Sequence, residues 1–298
     1  MPANQDLFLI DASVYVFRAY FSISPELEDN DGNPTNAVYG FTGFLLSLLE
    51  QLQPTHMAVA FDESLETSFR NDIYPDYKAN REPAPLELKR QFAHCRSIAE
   101  ALGVDCFSDD QYEADDIIGT LAHRHRQRGL TPHILSSDKD LAQLIQGKET
   151  LWDYSRQQRL DSDGIEKKFG VRPDQIADFL ALTGDSVDNI PGVPGVGPKS
   201  ASVLLKHFGS LDQVLERSEE IAFLSVRGAR SLAKKIADNS DAARLSRRLT
   251  GIELEVPLPE PEPELAWTTP DAATLNELFD FLNFGRLLRQ RVDKLAAG

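Results

Sequence analysis

Residues 112–118 read YEADDII and place three carboxylates, those of Glu113, Asp115 and Asp116, at the start of a helical pattern. Glu113 and Asp116 are three residues apart and therefore share one helix face, while Ile117 belongs to the face that turns toward a core. Half-buried carboxylates that crowd together raise each other's pKa unless a positive charge separates them, and the simplest such charge is a divalent cation. The alternative is that acids are favoured in the first turn of any helix, where the dipole stabilises each by about 0.3–1 kcal/mol.

Three apolar runs elsewhere in the chain each end in an aspartate. They are Leu7–Ile10 before Asp11, Met57–Phe61 before Asp62, and His133–Ser137 before Asp138, with Asp140 two residues further on. Continuous apolar runs of this kind are typical of buried parallel strands. Helical patterns cover Tyr39–Leu52, Leu86–Leu102 and Glu113–Arg128. The alternation of strands and helices predicts an α/β fold with a mostly parallel central sheet flanked by helices.

In a parallel sheet the carboxyl ends of the strands meet at one edge, where α/β folds place their sites. A single aspartate there is more often a helix cap or a turn residue, but several acids at one edge are harder to explain by capping. Another pair, three residues apart, completes the candidate set: Asp11, Asp62, Glu113, Asp115, Asp116, Asp138, Asp140, Asp185 and Asp188. Oxygen ligands without Cys or His favour Mg²⁺ or Mn²⁺ over zinc. The number of acids predicts two ions, an arrangement suited to phosphodiester cleavage.

The composition is that of a folded globular protein, with 298 residues, 41% hydrophobic and 26% charged, which excludes disorder as the main state. The net charge of −16 is unusual for a nucleic-acid binder, yet residues 196–250 carry ten Lys or Arg against six acids. Residues 251–265 carry five glutamates and no base. The first apolar run is too short for a signal peptide or a membrane span, so we expect a cytoplasmic protein. Cys95 and Cys106 form no disulfide framework or metal-ligand pattern.

A glycine-rich segment, Ile190–Ala201, leads into a helical pattern. Its candidate DNA-binding residues are Gly192, Val193, Gly195, Gly197, Lys199 and Ser200. Closely spaced glycines let the backbone approach a phosphate, and a helix that begins at Lys199 presents free N–H groups to it. We therefore expect a hairpin between two helices that grips the DNA backbone without reading sequence, with a plain loop as the alternative. A nucleotide P-loop is excluded, because Pro198 stands where that motif requires glycine.

With these motifs in order, the chain resembles the flap endonuclease-like 5′ nucleases, most of all the 5′-3′ exonuclease domain of bacterial DNA polymerase I. The resemblance runs from Leu7 to about Leu288 and includes all nine acids. It implies a PIN-like 5′ nuclease core with a helical helix-hairpin-helix-type DNA-binding subdomain. The first five acids would serve mainly one metal and the last four mainly the other, and the glycine hairpin would hold K⁺ on backbone carbonyls. Since the sequence ends at Gly298, we expect a stand-alone nuclease if the chain is complete.

The stretch from Phe69 to Arg81 resembles the base of the family's arch or clamp, which spans about residues 69–100 and guides the 5′ single strand. The resemblance implies that Lys78 and Arg81 hold the scissile phosphate, a task for cations that stabilise phosphoryl charge. Arg18 matches another phosphate contact. Without the surrounding motif, each of these bases would be read as a solvated surface residue. Tyr77 either stacks on a displaced base or packs inside the protein.

These observations predict three parts and one activity. Residues 1–178 form the α/β catalytic core with the arch, residues 179–250 the helical DNA-binding subdomain, and residues 251–298 an acidic Pro-rich connector with a last helix, Ala272–Leu288, that packs back on the core. The predicted activity is a 5′-3′ exonuclease or 5′-flap endonuclease in which a metal-activated water leaves a 5′-phosphate and a 3′-hydroxyl. The expected partner is DNA with a 5′ end, flap or junction, bound by a monomer outside any membrane, with a DNA polymerase or other replication and repair proteins as further partners. The competing classes are a non-catalytic junction-binding protein and a PIN-like ribonuclease.

Overall fold

A computed structural model describes residues 5–63 and 67–297. Within this range the strands are β1 (Asp6–Asp11), β2 (His56–Ala60), β3 (Asp105–Phe107), β4 (Thr131–Leu135), β5 (Thr150–Asp153) and β6 (Gln158–Leu160). The α-helices are α1 (Ala12–Ser22), α2 (Asn36–Leu52), α3 (Phe69–Ile73), α4 (Leu86–Ala101), α5 (Ala114–Gln127), α6 (Ser162–Phe169), α7 (Ile176–Thr183), α8 (Pro198–Phe208), α9 (Leu211–Glu216), α10 (Ala229–Asp238), α11 (Ser240–Thr250), α12 (Ala272–Phe281) and α13 (Arg286–Ala296). Short 3₁₀ helices cover Asp140–Leu144, Tyr154–Arg156, Pro173–Gln175 and Ser218–Phe223.

The chain forms two compact units. The first comprises Met1–Ser64, Pro83–Ser136 and Leu254–Gly298, and the second comprises Leu65–Glu82 and Ser137–Glu253. These units divide the chain at other points than the expected boundaries near residues 178 and 250, because the segments 65–82 and 137–178 contact the helical part of the second unit. The expected domain boundaries stay a prediction.

The first unit is built on four parallel strands in the order β3-β2-β1-β4. The central strand β1 pairs on both sides, with Leu9 opposite Ala58 on β2 and opposite Ile134 on β4. These side chains are buried on both faces of the sheet, as the continuous apolar runs predict. Helix α5 packs on β1, β2 and β4, helix α4 packs on β3, and α1 and α2 pack against each other and against α4. The predicted α/β class is confirmed, and three strands and three helices lie where their patterns place them.

The C-terminal segment belongs to the first unit. The pattern predicts one helix over residues 272–288, and this is wrong. Asn283 adopts a left-handed conformation (φ 55°) and Gly285 caps a second helix, so the segment forms α12 and α13 instead. Helix α12 packs on α4, and α13 packs on α2. Phe279 in α12 and Leu288 in α13 are buried.

The second unit consists of the β5–β6 antiparallel hairpin and helices α3 and α6–α11. Its segment 67–82 is tied to the end of α11 by Arg70, which is buried. The Arg70 guanidinium donates from Nε to the carbonyl oxygen of Leu249 (2.9 Å) and from Nη2 to that of Gly251 (2.8 Å). Tyr77 packs beside Ile190 and Leu249 in a small apolar cluster. In the described part of the chain, no helix is both long and apolar enough to cross a membrane.

Candidate metal centres and nucleic-acid interface

Two acids of the first unit lie where strands end and helices begin. Asp11 ends β1, directly precedes α1, and its Oδ2 accepts a hydrogen bond from Ser136 Oγ (2.8 Å). Asp62, two residues after β2, accepts from Ser13 Oγ (2.6 Å) and from the backbone N–H of Ala114 (2.9 Å). Because Ser13 lies in α1 and Ala114 begins α5, the Asp62 carboxylate joins the first turns of both helices. This is the edge of the sheet at which the sequence places these acids.

Glu113 and Asp116 form a capping box at the start of α5. Glu113 is the N-cap residue, and its backbone N–H donates to Asp116 Oδ2 (3.1 Å). Asp116 is fully buried, Glu113 is nearly so, and Asp115 is half-buried. Helix capping therefore explains two of the three acids in this turn without a metal ion, which agrees with the alternative that acids are favoured at the start of any helix.

A tight loop in the second unit holds the pair Asp185 and Asp188. The loop is closed by two backbone hydrogen bonds between Asp185 and Ile190, at 2.9 and 2.7 Å. Asp185 Oδ1 also accepts from the N–H of Val187 (2.8 Å). Both residues are buried. The loop geometry thus keeps these two acids near each other without a helix between them.

Three cations accompany the acids of the second unit. Lys139 donates to Asp185 Oδ2 and lies 3.8 Å from Asp140 Oδ1. Arg81 donates from Nη2 to Asp188 Oδ1, and Lys78 Nζ lies 4.0 Å from Asp188 Oδ2. The structure therefore brings Lys78 and Arg81, both selected from the sequence, to one of the candidate metal ligands.

Burial and like charge raise the pKa values of two acids of the second unit, Asp138 and Asp140. Burial, followed by the charge of Asp188, raises the pKa of Asp138. Burial and the charge of Asp138 raise the pKa of Asp140 well above its usual value. Burial would lower the pKa of Lys139, but the negative charges of Asp140 and Asp185 raise it instead. This is the crowding that a bound cation relieves.

The donor set fits a hard divalent cation, since every candidate ligand is a carboxylate oxygen. Asp140 Oδ1 is buried and has no hydrogen-bond partner in the described part of the chain, which suits an oxygen that binds a cation. As the side chains stand, however, no three His, Cys, Asp or Glu residues among residues 5–63 and 67–297 come together closely enough to hold a metal. One reason is that Asp185 and Asp188 are turned to Lys139 and Arg81. The nine metal assignments stay predictions.

Tyr77 and Arg18 lie in contrasting environments. The Tyr77 side chain is only 4% exposed, packs against Ile190 and Leu249, and its hydroxyl lies 3.5 Å from Asp188 Oδ2. The ring therefore packs inside the second unit, and its role toward a base stays a prediction. Arg18 is exposed on α1, and its phosphate contact also stays a prediction.

The glycine hairpin has a buried half and an exposed half. Gly192 and Val193 are buried, and the N–H of Gly192 donates to Ser246 Oγ (3.1 Å). A Cβ at Gly192 would overlap the backbone of Gly184, so packing already requires glycine there. Gly195, Gly197 and Lys199 are exposed, and the half-buried Ser200 starts α8 with a hydrogen bond from its N–H to the Gly197 carbonyl (3.0 Å).

Sequence reasoning missed two lysines. Lys139 carries a signal, because it stands between Asp138 and Asp140 in the sequence, as a counter-ion between two acids would. The sequence gives no such signal for Lys235, because its importance comes from a contact with Gly195, forty residues away in the chain. Only the folded structure brings the two together.

Comparison with known families matches almost the whole chain. Residues 6–170 match the model described as 5′-3′ exonuclease, N-terminal resolvase-like domain, and residues 171–273 match that described as 5′-3′ exonuclease, C-terminal SAM fold. The chain belongs to the 5′-3′ exonuclease family. It is therefore a nuclease of the hydrolase class, and neither the junction-binding nor the ribonuclease alternative is favoured.

The relatives of this 5′-3′ exonuclease include both short and long proteins. It is 36% identical to the 5′-3′ exonuclease of Aquifex aeolicus over 289 residues, covering 97% of the chain and 96% of that relative. It is 41% identical to DNA polymerase I of Rhizobium leguminosarum over 297 residues, covering 97% of the chain but 28% of that relative. The chain thus spans only about a third of the DNA polymerase I relatives it matches.

Solved structures share the fold of this 5′-3′ exonuclease. The T5 5′-exonuclease with bound zinc superimposes with a TM-score of 0.65 at 17% identity, covering 98% of this chain and 99% of that one. The catalytic core of Rad2 in complex with a DNA substrate gives 0.63 at 15% identity, covering 98% and 92%. These likenesses confirm the fold: an α/β core followed by a helical SAM-like part.

Proposed function

We propose that this 5′-3′ exonuclease cleaves DNA at a free 5′ end or at a 5′ flap, with divalent metal ions, and leaves a 5′-phosphate and a 3′-hydroxyl. The observation that carries the proposal is the arrangement around the loop 185–190. There, Asp188 binds Arg81 and lies 4.0 Å from Lys78, two cations suited to a phosphate, and burial together with nearby negative charge, including that of Asp188, raises the pKa values of Asp138 and Asp140. A site that holds acids and phosphate-binding cations together is suited to phosphodiester hydrolysis.

The acids divide between two ions according to the unit that carries them. The first unit would hold one Mg²⁺ or Mn²⁺ with Asp11, Asp62, Glu113, Asp115 and Asp116, and the second unit another with Asp138, Asp140, Asp185 and Asp188. Such ions lower the pKa of an attacking water and stabilise the oxygens of the phosphodiester. The hydrogen bonds from Ser13 and Ser136 orient Asp62 and Asp11 in the first unit.

Lys78 and Arg81 would hold the scissile phosphate, and Arg18 a neighbouring one. Preorganised cations stabilise the charge that develops on the phosphate in the transition state. Asp188 holds both cations in position. Its carboxylate binds Arg81, and its carbonyl oxygen accepts a hydrogen bond from the backbone N–H of Lys78 (3.0 Å). The exposed half of the glycine hairpin would bind the duplex backbone, with K⁺ on its carbonyls.

We propose that the protein acts on replication and repair intermediates in the cytoplasm. We propose that it works as a monomer, with a DNA polymerase or another replication or repair protein as its partner.

The test is cleavage of a 5′-labelled flap duplex in Mg²⁺ or Mn²⁺, compared with EDTA. We expect a short labelled product in metal only, and its loss in Asp188→Asn, while the control Glu166→Gln, an exposed acid on α6, keeps full activity. Binding without cleavage in either metal would indicate the junction-binding alternative. Cleavage of single-stranded RNA and not of the flap would indicate a ribonuclease.

A further inference from the structure

The ammonium group of Lys235 lies on the glycine hairpin. Lys235 belongs to α10, and its Nζ occupies the space that a Cβ at Gly195 would fill. Gly195 is exposed and has a φ of 77°. The lysine itself is half-buried. A residue of a distant helix thus adds a positive charge to the hairpin.

The backbone of Lys235 is held in place. Its carbonyl oxygen accepts two hydrogen bonds from Asn239, one from the backbone N–H (3.2 Å) and one from Nδ2 (2.8 Å). Leu232 and Ile236, on either side of Lys235 along α10, are buried and fix the rotation of the helix. The ammonium therefore reaches the hairpin from a fixed starting point, which lowers the entropy that a flexible lysine loses on binding a ligand.

Lys235 differs from three arginines of the same helical part, because those three are paired with acids. Arg217 lies 2.7 Å from Glu220, Arg244 lies 3.0 Å from Asp212, and Arg247 lies 2.6 Å from Asp178. Across the described residues, no carboxylate lies within 4.0 Å of the Lys235 ammonium. An anion from outside the protein, such as a phosphate, can therefore pair with this ammonium.

We propose that Lys235 is a phosphate-binding residue of the glycine hairpin and that position 195 is glycine to make room for its ammonium. The ligand is the phosphodiester backbone of duplex DNA, so this inference rests on the proposed function. It changes the role of Gly195. From the sequence alone, glycine there lets the backbone approach a phosphate, whereas in the structure it lets a lysine from α10 do so.

Two neighbouring lysines provide the test and its control. Lys235→Met keeps the length of the side chain and removes the charge, and Lys234→Met does the same at an exposed position on the same helix. We expect Lys235→Met to weaken the binding of a flap duplex about fivefold to tenfold, and to flatten the slope of log K against log salt by about one unit, as for one lost phosphate contact. The control should change the slope by less than half as much. Equal effects of both variants, or no effect of Lys235→Met, would overturn the inference.

Gly195→Ala tests the contact itself. The added methyl group displaces the ammonium, so it should weaken binding in the wild-type background and add little in Lys235→Met. Equal losses in both backgrounds would mean that the backbone, and not the lysine, touches the phosphate. Because φ is positive at this position, Gly195→Ala can also destabilise the fold. In that case the comparison of Lys235→Met with Lys234→Met decides whether Lys235 binds a phosphate.

If the wild-type chain cleaves flap DNA while Lys235→Met binds normally, the inference fails and the proposed function stands. If the wild-type chain neither binds nor cleaves, both fail.

Discussion

Lys139 donates a hydrogen bond to Asp185, and the same ammonium lies 3.8 Å from Asp140. A lysine and a divalent ion would therefore draw on the same carboxylate oxygens. About two-fifths of the Lys139 side chain is exposed, so it can swing into solvent when a stronger cation binds. Metal binding should therefore depend on this ion pair and on the crowding of the carboxylates around it.

Metal ions should stabilise the wild-type chain. The pKa of Asp140 is raised well above its usual value by burial and by Asp138, so relieving that crowding favours the folded state. A ligand present at 100 times its dissociation constant adds about 2.7 kcal/mol by mass action. Thermal melts should shift upward with millimolar Mg²⁺ or Mn²⁺ and return after EDTA. An unchanged melting temperature at saturating Mn²⁺ would contradict the proposed sites.

Lys139→Met should bind the second unit's ion more tightly. Two unit charges 4 Å apart interact by about 1 kcal/mol in water and about 4 kcal/mol near a protein surface, and the variant no longer places a cation beside Asp185. We expect a gain of about tenfold in Mn²⁺ affinity, measured by titration calorimetry. Lys148→Met, at an exposed position away from these acids in the sequence, is the control. Weaker Mn²⁺ binding in Lys139→Met would show that the lysine supports the metal site.

Lys78→Ala should slow the chemical step more than it weakens binding. Losing one electrostatic catalytic group typically costs ~10²-fold or more in rate. Single-turnover cleavage of a flap duplex measures the rate, and anisotropy measures the affinity. Lys78 has a φ of 55°, so Lys78→Gly removes the same cation from a backbone conformation that glycine adopts without strain and should behave alike. Lys89→Ala, exposed on α4, is the surface control. Equal losses of rate and affinity would show that Lys78 only contacts the DNA and takes no part in the chemical step.

Arg70→Met should destabilise the second unit. The substitution leaves the buried carbonyls of Leu249 and Gly251 without their side-chain donor, at a cost of about 2–4 kcal/mol. Denaturant melts would measure the loss. Arg156→Met, at an exposed arginine paired with Asp153, should stay within about 0.5 kcal/mol of wild type. Arg70→Lys should recover only part of the loss, since an ammonium does not reproduce the guanidinium fork.

Gly103→Ala should destabilise the chain more than Gly129→Ala does. Both glycines have positive φ values, 79° and 88°, so each alanine costs about 1–2 kcal/mol for a left-handed conformation. A Cβ at Gly103 would also collide with the backbone of Thr268, whereas at Gly129 it meets open space. Overpacking of this kind adds roughly 1–3 kcal/mol. Equal losses in urea melts would show that the Thr268 segment moves aside freely.

The sequence predicts the parts of the fold that depend on local pattern. The runs before Asp11, Asp62 and Asp138 became β1, β2 and β4, because continuous apolar runs identify buried strands. The strands β3, β5 and β6 have three or four residues each, too few to show a period. The sequence also marks the break at Asn283, which a single helix over residues 272–288 does not take into account, because asparagine adopts the left-handed conformation more readily than most residues and Gly285 follows it.

The candidate site was predictable in its residue types and not in its pairings. The strand-ending acids and the basic segment near Lys78 follow from position and composition. That Arg81 would bind Asp188, or that Lys235 would lie on Gly195, depends on long-range packing that no local pattern encodes. Tyr77 was left open between stacking and packing, and its burial beside Ile190 and Leu249 is likewise a tertiary effect.

The first unit is made from three stretches of chain, with the second unit emerging between them. Chains leave the ribosome at about 5–20 residues per second, so the stretch Ser137–Glu253 delays the last piece by roughly 6–23 s. During that time the β1–β4 sheet exists without α12 and α13, and the surfaces of α4 and α2 that pack against these helices stay uncovered. The unit that begins synthesis first is therefore the one that finishes folding last, and a nascent chain halted before Leu254 would expose apolar surface that chaperones bind.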